Sequence, residues 1–298
     1  MNTWNNLAMH FRRRLGCRGQ KIPLDVGSSC PNRERSNSNI GCVFCNVSGS
    51  GSGLGLSGMS ITEQWNYWHK HFSISNQYIR FIAYLQSFSN TYGPLSKFSS
   101  ILAQIKGLQD VAGISVGTRP DCLTNKKLSL IVEMPYLEKW VEFGVQSLHD
   151  ETLIKIKRGH SSKCSEQAII QAANAGLQVC AHVMFGLPGE TPTHMLQTID
   201  RLNSLPIHGI KFHNVYVCKN TILEKEFNAG NYYPLTEADY SDLVVESLYR
   251  LRPDIVIHRV VADPLPEELV APEWARYKSA VVRGIEKRFR ARRSTHNI

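Results

Sequence analysis

Three cysteines fall within sixteen residues near the start of this 298-residue chain, in Ser28-Ser29-Cys30-Pro31-Asn32 and Gly41-Cys42-Val43-Phe44-Cys45-Asn46. The spacing is Cys-x11-Cys-x2-Cys. Two cysteines two residues apart can grip one metal centre from a single tight loop, and a third from upstream completes a three-point thiolate site. Structural zinc closes with four ligands, and so does an iron–sulfur cluster held wholly by protein. No fourth cysteine or nearby histidine follows at a suitable distance. Three ligands leave one metal open, and an open metal is where a substrate or cofactor binds.

A chain of this length with 42% hydrophobic residues can bury one large core. It shows no charged start followed by a short apolar run and no apolar stretch long enough to span a bilayer, so a cytoplasmic protein without membrane attachment is expected. Eight cysteines in a chain that needs no disulfide staples fit a reducing compartment. The formal charge of +9 is concentrated at the ends: Arg12, Arg13, Arg14, Arg18 and Lys21 at the start, and Arg283, Lys287, Arg288, Arg290, Arg292 and Arg293 at the close. Clustered positive charge attracts polyphosphate backbones. Contact with nucleic acid through Arg12, Arg13, Arg14, Arg288, Arg290 and Arg292 is therefore expected, the plainer reading being a solvated basic tail.

Along the chain, Trp4, Leu7, Ala8 and Phe11 have the spacing of a short amphipathic helix, and residues 21–25 read as the first strand. Residues 46–58 are mostly Gly and Ser and read as a flexible loop, in spite of a chance G-x-G-x-x-G match at 53–58. Thr62 caps the next predicted helix, and strands follow over 78–85, 111–116, 139–144, 177–185, 207–217 and 254–261. The helices between them include one opened by Pro94, one capped by Thr124, short ones over 150–158 and 165–175, one entered through Thr191-Pro192, and one capped by Thr236. Seven strands alternating with helices demand a parallel sheet, open and doubly wound or curled into a full or partial barrel. In either case chemistry gathers at the C-terminal ends of the strands.

The cysteine loop resembles that of radical S-adenosylmethionine (SAM) enzymes whose first cysteine gap is long, and the chain looks like the YhcC/YtqA-like group. It is more distantly similar to the catalytic subunit of Elongator. Further matches are Gly117-Thr118-Arg119-Pro120-Asp121, residues 141–147, Arg158-Gly159-His160 and Gly186-Leu187-Pro188-Gly189-Glu190. The resemblance implies an α/β fold, a partial (β/α)6-type TIM barrel over 20–262 with the cluster loop at 28–58. Short basic extensions would cover 1–19 and 263–298. It implies a [4Fe-4S] cluster on Cys30, Cys42 and Cys45, with SAM on the open iron. A low-potential donor such as flavodoxin or ferredoxin would reduce the cluster, and a 5′-deoxyadenosyl radical would then take hydrogen from the substrate.

In that frame Phe44 looks like the aromatic beside the adenine, while Gln146 and Arg158 resemble holders of the SAM ribose and carboxylate. Asn90, flanked by Ser89 and Thr91, stands where the SAM amine is usually bound, and Thr118 joins this set. Arg119, held extended by Pro120, could grip a carboxylate or instead bridge to Asp121 or Glu142. Gly186 could admit the adenine against its backbone, or serve only a tight turn. Glu142, His182 and His213 are the catalytic candidates, although a lone histidine in a strand, as with His258, is usually a satisfied interior residue. The resemblance points to tRNA, at a wobble uridine, as substrate. Rival readings are radical chemistry on a small molecule or peptide, and a non-catalytic zinc-stabilised RNA-binding protein.

Overall fold

The structure is a computed structural model that describes residues 4–34, 41–46, 49, 54, 57–73 and 78–295. The Gly/Ser-rich stretch expected as a flexible loop, and most of the link between the first two cysteines, lie largely outside the described residues.

Seven strands form one sheet: β1 (Arg18–Leu24), β2 (Ile79–Leu85), β3 (Val111–Thr118), β4 (Glu138–Gln146), β5 (Gln178–Phe185), β6 (Gly209–Asn214) and, after the two-residue β7 (Val217–Cys218), β8 (Val256–Arg259). The order is sequential and every pairing is parallel. β1 and β8 stand at the two ends of the sheet and do not pair with each other, so the barrel is open. The central strands are covered on both faces, and β3, β4 and β5 are buried almost throughout.

Helices fill the crossovers: α1 (Leu7–Leu15) before β1, then α2 (Pro31–Glu34), α3 (Ile61–Phe72), α4 (Leu95–Lys106), α5 (Asn125–Val132), α6 (Asp150–Lys155), α7 (Ser162–Asn174), α8 (Pro192–Asn203), α9 (Ile222–Asn228), α10 (Glu237–Arg250) and α11 (Lys278–Thr295). Their buried faces and the outer face of the sheet share one large core running from Ile22 to Phe289. Trp65, Phe143, Phe185, Phe212 and Tyr240 are among its fully buried side chains.

Local chemistry explains most helix starts and corrects two expectations. Ser60, not Thr62, caps α3, because its hydroxyl and the Glu63 carboxylate form a reciprocal capping box. Thr191 and Thr236 cap α8 and α10 as expected, whereas Thr124 precedes α5 without a side-chain bond. The predicted strand over 207–217 is split. β6 ends at Asn214, and β7 leaves the barrel to pair antiparallel with β9 (Leu269–Ala271). The long helix α11 packs on α10 through Val281, Ile285 and Phe289.

The first helix plugs one end of the barrel. Phe11 is buried against Ile82 and Ala112, His10 Nε2 lies 2.8 Å from Glu138 Oε2, and Leu7 packs on Trp140 and Val256. Glu138 opens β4 and Ala112 stands near the start of β3, so α1 closes the N-terminal end of the strands. The other end is left for the cysteine loop.

Candidate active site

Cys30 follows β1 and starts the single turn α2, whose Arg33 and Glu34 N–H groups both donate to the Cys30 carbonyl. Cys42 to Cys45 form a tight turn closed by the Cys45 N–H on the Cys42 carbonyl. This turn is pinned from both sides, by Val43 N–H on the Ile156 carbonyl and Leu223 N–H on the Val43 carbonyl. Upstream, the buried amide of Gln64 accepts from the Asp25 N–H at 2.8 Å and donates to the Asp25 and Met59 carbonyls, fixing the chain as it leaves β1.

All three cysteines are free thiols lining one cavity of about 300 Å³ at the C-terminal ends of the strands. Each sulfur has its own guanidinium. Arg119 Nη1 is 3.9 Å from Cys30, Arg158 Nη1 is 3.6 Å from Cys42 and Arg33 Nη2 is 3.6 Å from Cys45. Asn32 adds a fourth donor, Nδ2 at 3.3 Å from Cys42. Burial pushes the Cys45 thiol up, and Arg33 opposes that.

A single ion needs its donors close, with metal–sulfur bonds of about 2.3 Å. Among the described residues, however, the histidine, cysteine and carboxylate set gathered within 4.8 Å is Glu142, Cys180 and His258, not the three cysteines. Three spread thiolates with no fourth ligand among the described residues fit a polynuclear cluster with an open corner better than a zinc ion.

Two glycines make the arginine arrangement possible. A Cβ on Gly144 would stand 2.6 Å from Arg158 Nη2 and 2.9 Å from Gln146 Nε2, so both side chains fold over this residue only because it is glycine. Arg158 Nη2 also bonds to the Gly144 carbonyl. At Gly159, with φ +79°, a Cβ would meet Asn32 Oδ1 at 2.5 Å and Arg119 Nη2 at 3.1 Å. Gln146 itself has φ 71°, a conformation unfavourable for a side chain this long, at a register shift in the β4–β5 pairing. Backbone strain of this kind is held by its surroundings and gathers at functional sites.

Below the cysteines, each strand of the seven-stranded sheet sends one side chain into a single polar cluster: Lys21, Tyr84, Ser115, Glu142, His182, Lys211 and His258. Glu142, fully buried, accepts from Lys21, from Ser115 at 2.5 Å, from His182 Nε2 at 2.7 Å and from Lys211 at 3.1 Å. Burial alone would raise its pKa, but Lys21, Lys211 and His182 outweigh that and hold the carboxyl well below the usual range. Burial pushes His182 down to about 4 and His213 well below its ordinary value, so both rings are neutral. Burial also lowers Lys211 to about 8.

The cavity brings together the expected Cys30, Cys42, Cys45, Phe44, Thr118, Arg119, Gln146 and Arg158, along with Glu142, His182 and His213. Several stand in other circumstances than the sequence suggested. Both Nε and Nη2 of Arg119 are 2.8 Å from Asp121 oxygens, so the salt-bridge reading is the one realised and its fork is not open to a ligand. Thr118 is buried with its hydroxyl bonded to Ser89 and Thr91. Asn90 lies behind the lining, buried, with Nδ2 on the Gly117 carbonyl and Oδ1 without a hydrogen-bond partner among the described residues. Gly186 is covered by Leu235 and Val215 and takes φ 93°, so its geometry is that of a turn. Glu142, ionised and enclosed by cations, is a counter-ion rather than a proton carrier. Sequence reasoning missed Arg33, Lys211, Arg259 and Tyr216, which also line the cavity. A strand reading Gly-Ile-Lys-Phe-His-Asn, polar at alternate positions, was the available signal.

The basic ends lie elsewhere. Arg12, Arg13 and Arg14 ride on α1 at the closed end, Arg13 bonded to Asn5 and Arg14 to Glu138. On α11, Arg288 pairs with Asp242, Arg290 with Glu286 and Arg292 with Glu246. None of these six arginines is among the residues that line the cavity. No helix among the described residues is long and apolar enough to cross a membrane.

Comparison with known proteins agrees with this geometry. Residues 36–202 match the Radical SAM superfamily, and residues 207–291 match the Radical_SAM C-terminal domain. The chain is 33% identical to the uncharacterized protein YtqA of Bacillus subtilis, over 98% of this chain and 91% of the relative. It is 29% identical to the tRNA uridine(34) acetyltransferase of Dehalococcoides mccartyi, over 51% of this chain but only 33% of that protein. The structure of the archaeal Methanocaldococcus infernus Elp3, lacking residues 1–46, superposes with a TM-score of 0.67 at 16% identity, covering 80% of this chain and 61% of that one, and shares its fold. A cysteine triad at the open end of a seven-stranded parallel sheet, with these matches along nearly the whole length, shows that the chain belongs to the radical SAM superfamily.

Proposed function

We propose that this protein is a radical SAM enzyme that modifies a tRNA nucleoside, a wobble uridine, using a [4Fe-4S] cluster on Cys30, Cys42 and Cys45. The observation that carries the enzymatic reading is the triad of thiols, each faced by an arginine, lining a cavity that opens at the C-terminal ends of the strands. When bound, the cluster and SAM supply a 5′-deoxyadenosyl radical that takes hydrogen from the substrate.

The chain's own part is to charge and enclose the site. Arg33, Arg119 and Arg158 offset thiolate charge, which favours loading and tunes the ease of reduction through hydrogen bonds to sulfur. Phe44 and Gln146 face the cavity and offer an aromatic face and an amide to a nucleoside. The buried walls keep water from the reacting atoms.

The tRNA part draws support from the likeness of half of this chain to a tRNA uridine(34) acetyltransferase. Because none of those six arginines lines the cavity, phosphate contacts fall instead to exposed lysines on the loops past the strand ends. These are Lys157, next to Arg158, and Lys219, next to Cys218. A small low-potential iron–sulfur or flavin carrier would deliver the electron. The test is mass spectrometry of tRNA nucleosides from cells with the gene, without it, and with the Cys42→Ala variant. One modified uridine lost in both deficient strains is the expected result, and identical nucleoside profiles would remove tRNA from the proposal.

A further inference from the structure

We propose that the floor of the cavity, built from Lys211 and Arg259 with Lys21 behind them, is a binding site for a compact oxyanion of the substrate, a carboxylate or phosphate group. The inference rests on reading the cavity as the substrate chamber.

Three cations, Lys21, Lys211 and Arg259, share this floor with one ionised carboxylate, Glu142. Three positive charges against one leave an excess of two. The remaining titratable neighbours do not cancel it. His182 and His213 are neutral, Tyr84 keeps its proton because burial raises it well above its usual value, and His258 is likewise held neutral by burial. The other carboxylate in the lining, Asp263, is exposed at the rim and lies 2.9 Å from Lys278 Nζ.

Arg259 is the least satisfied of the three. Its Nη2 rests against both ring nitrogens of His213, 2.8 Å from Nδ1 and nearer to Nε2, and this neutral ring accepts a hydrogen bond through one of them without offering charge. Its Nε is buried with no hydrogen-bond partner among the described residues. An uncompensated guanidinium in a closed site is costly, and a flat two-oxygen anion satisfies it through paired donors. Lys211 Nζ already contacts the Tyr84 hydroxyl at 2.9 Å and Glu142 at 3.1 Å, so it stands fixed and pre-oriented. The Glu142, Cys180 and His258 set below is not a cation site instead, since two ammonium groups already occupy that carboxylate.

The test is calorimetric titration of the cluster-loaded protein, under anaerobic conditions at constant ionic strength, with saturating SAM present. The probes are sodium malonate, inorganic phosphate and neutral malonamide. Saturable binding of malonate or phosphate but not malonamide is expected, and the preferred anion tells carboxylate from phosphate. Arg259→Gln should weaken that binding about tenfold or more, the loss of one charge-assisted contact. Arg259→Lys should restore part of it, and Lys225→Gln on exposed α9 should leave it unchanged. SAM cleavage without substrate is measured on every variant, so failure of anion binding in a protein that still cleaves SAM overturns this site and spares the enzymatic reading. Absence of anion binding, equal binding by Arg259→Gln, or binding seen only when SAM is omitted would each overturn it, the last because the site would then be taken by the carboxylate of SAM.

Discussion

Arg158 holds its Nη1 3.6 Å from the sulfur of Cys42 while its Nη2 bonds to the carbonyl of Gly144. One buried guanidinium thus links the cysteine loop to the end of β4, and the link depends on Gly144 having no side chain. A positive donor on a thiolate stabilises the more negative, reduced cluster.

Arg158→Met should therefore keep its iron and sulfide but show a midpoint potential lower by about 60 mV, the one-electron equivalent of about 1.4 kcal/mol. A redox titration followed by electron paramagnetic resonance measures it. Gly144→Ala should give a similar shift by displacing Arg158, with little loss of stability, since only flexible side-chain ends need to move. An unshifted potential in both variants would mean that the contact does not reach the cluster.

Cys42→Ala should abolish cluster loading and 5′-deoxyadenosine formation together, because two thiols cannot hold the cube and no fourth ligand stands in reserve among the described residues. Iron analysis of anaerobically reconstituted protein, with product chromatography, checks both. Product at the parental rate would refute the metal assignment.

Gln64→Leu leaves the Asp25 N–H and the Asp25 and Met59 carbonyls without their partner in a buried site. The expected loss is about 3 kcal/mol in chemical denaturation. A change of only a few tenths would show that water replaces the amide.

Burial pushes Glu190 up to about 7, against the opposing hydroxyls of Ser147 and Thr152. Its folded value is raised, so the folded chain keeps a proton that the unfolded chain releases from the ordinary value of 4.5 upward. The stability tied to that proton is whole below the unfolded value and is lost as pH rises through about 7. Glu190→Gln should lose less stability than the parent between about pH 5 and 8 in urea titrations at several pH values. Parallel curves would contradict the raised value.

Oxyanion binding should weaken above about pH 8, where Lys211 gives up its proton. The groups facing Lys211 are Lys21, Tyr84, Glu142, Cys180, His182, His213, His258 and Arg259; Tyr84, Cys180 and Glu142 keep their form across that range, and the three histidines stay neutral. Malonate affinity measured from pH 7 to 9 checks the midpoint.

The barrel was legible because strands such as β2, β3 and β5 are sheathed on both sides and read as mostly apolar stretches, separated by helices with caps such as Thr191 and Thr236. The cysteine triad was legible because its three members lie close in sequence. Helix α11 was not, since Val281, Ile285 and Phe289 are set among arginines that mask the apolar stripe, and the stretch read as a charged tail. The end of the strand over 207–217 was misjudged because Val215 and Val217 stay buried after the chain has left the barrel. The polar floor was hidden for a different reason. Lys21, Glu142, Lys211 and Arg259 come from four strands far apart in sequence, and only the curl of the sheet makes them neighbours.

Helix α1 touches both end strands of that curl. Phe11 sits so tightly under Gly19 of β1 that a Cβ there would be 2.5 Å from its ring, and the Asn5 carbonyl accepts from the Ile257 N–H of β8 at 2.7 Å. It works as a chock driven between two unjoined staves, setting how far they can close. Shaving the start of the chain would therefore be felt at the opposite mouth, as a chamber whose width is no longer fixed.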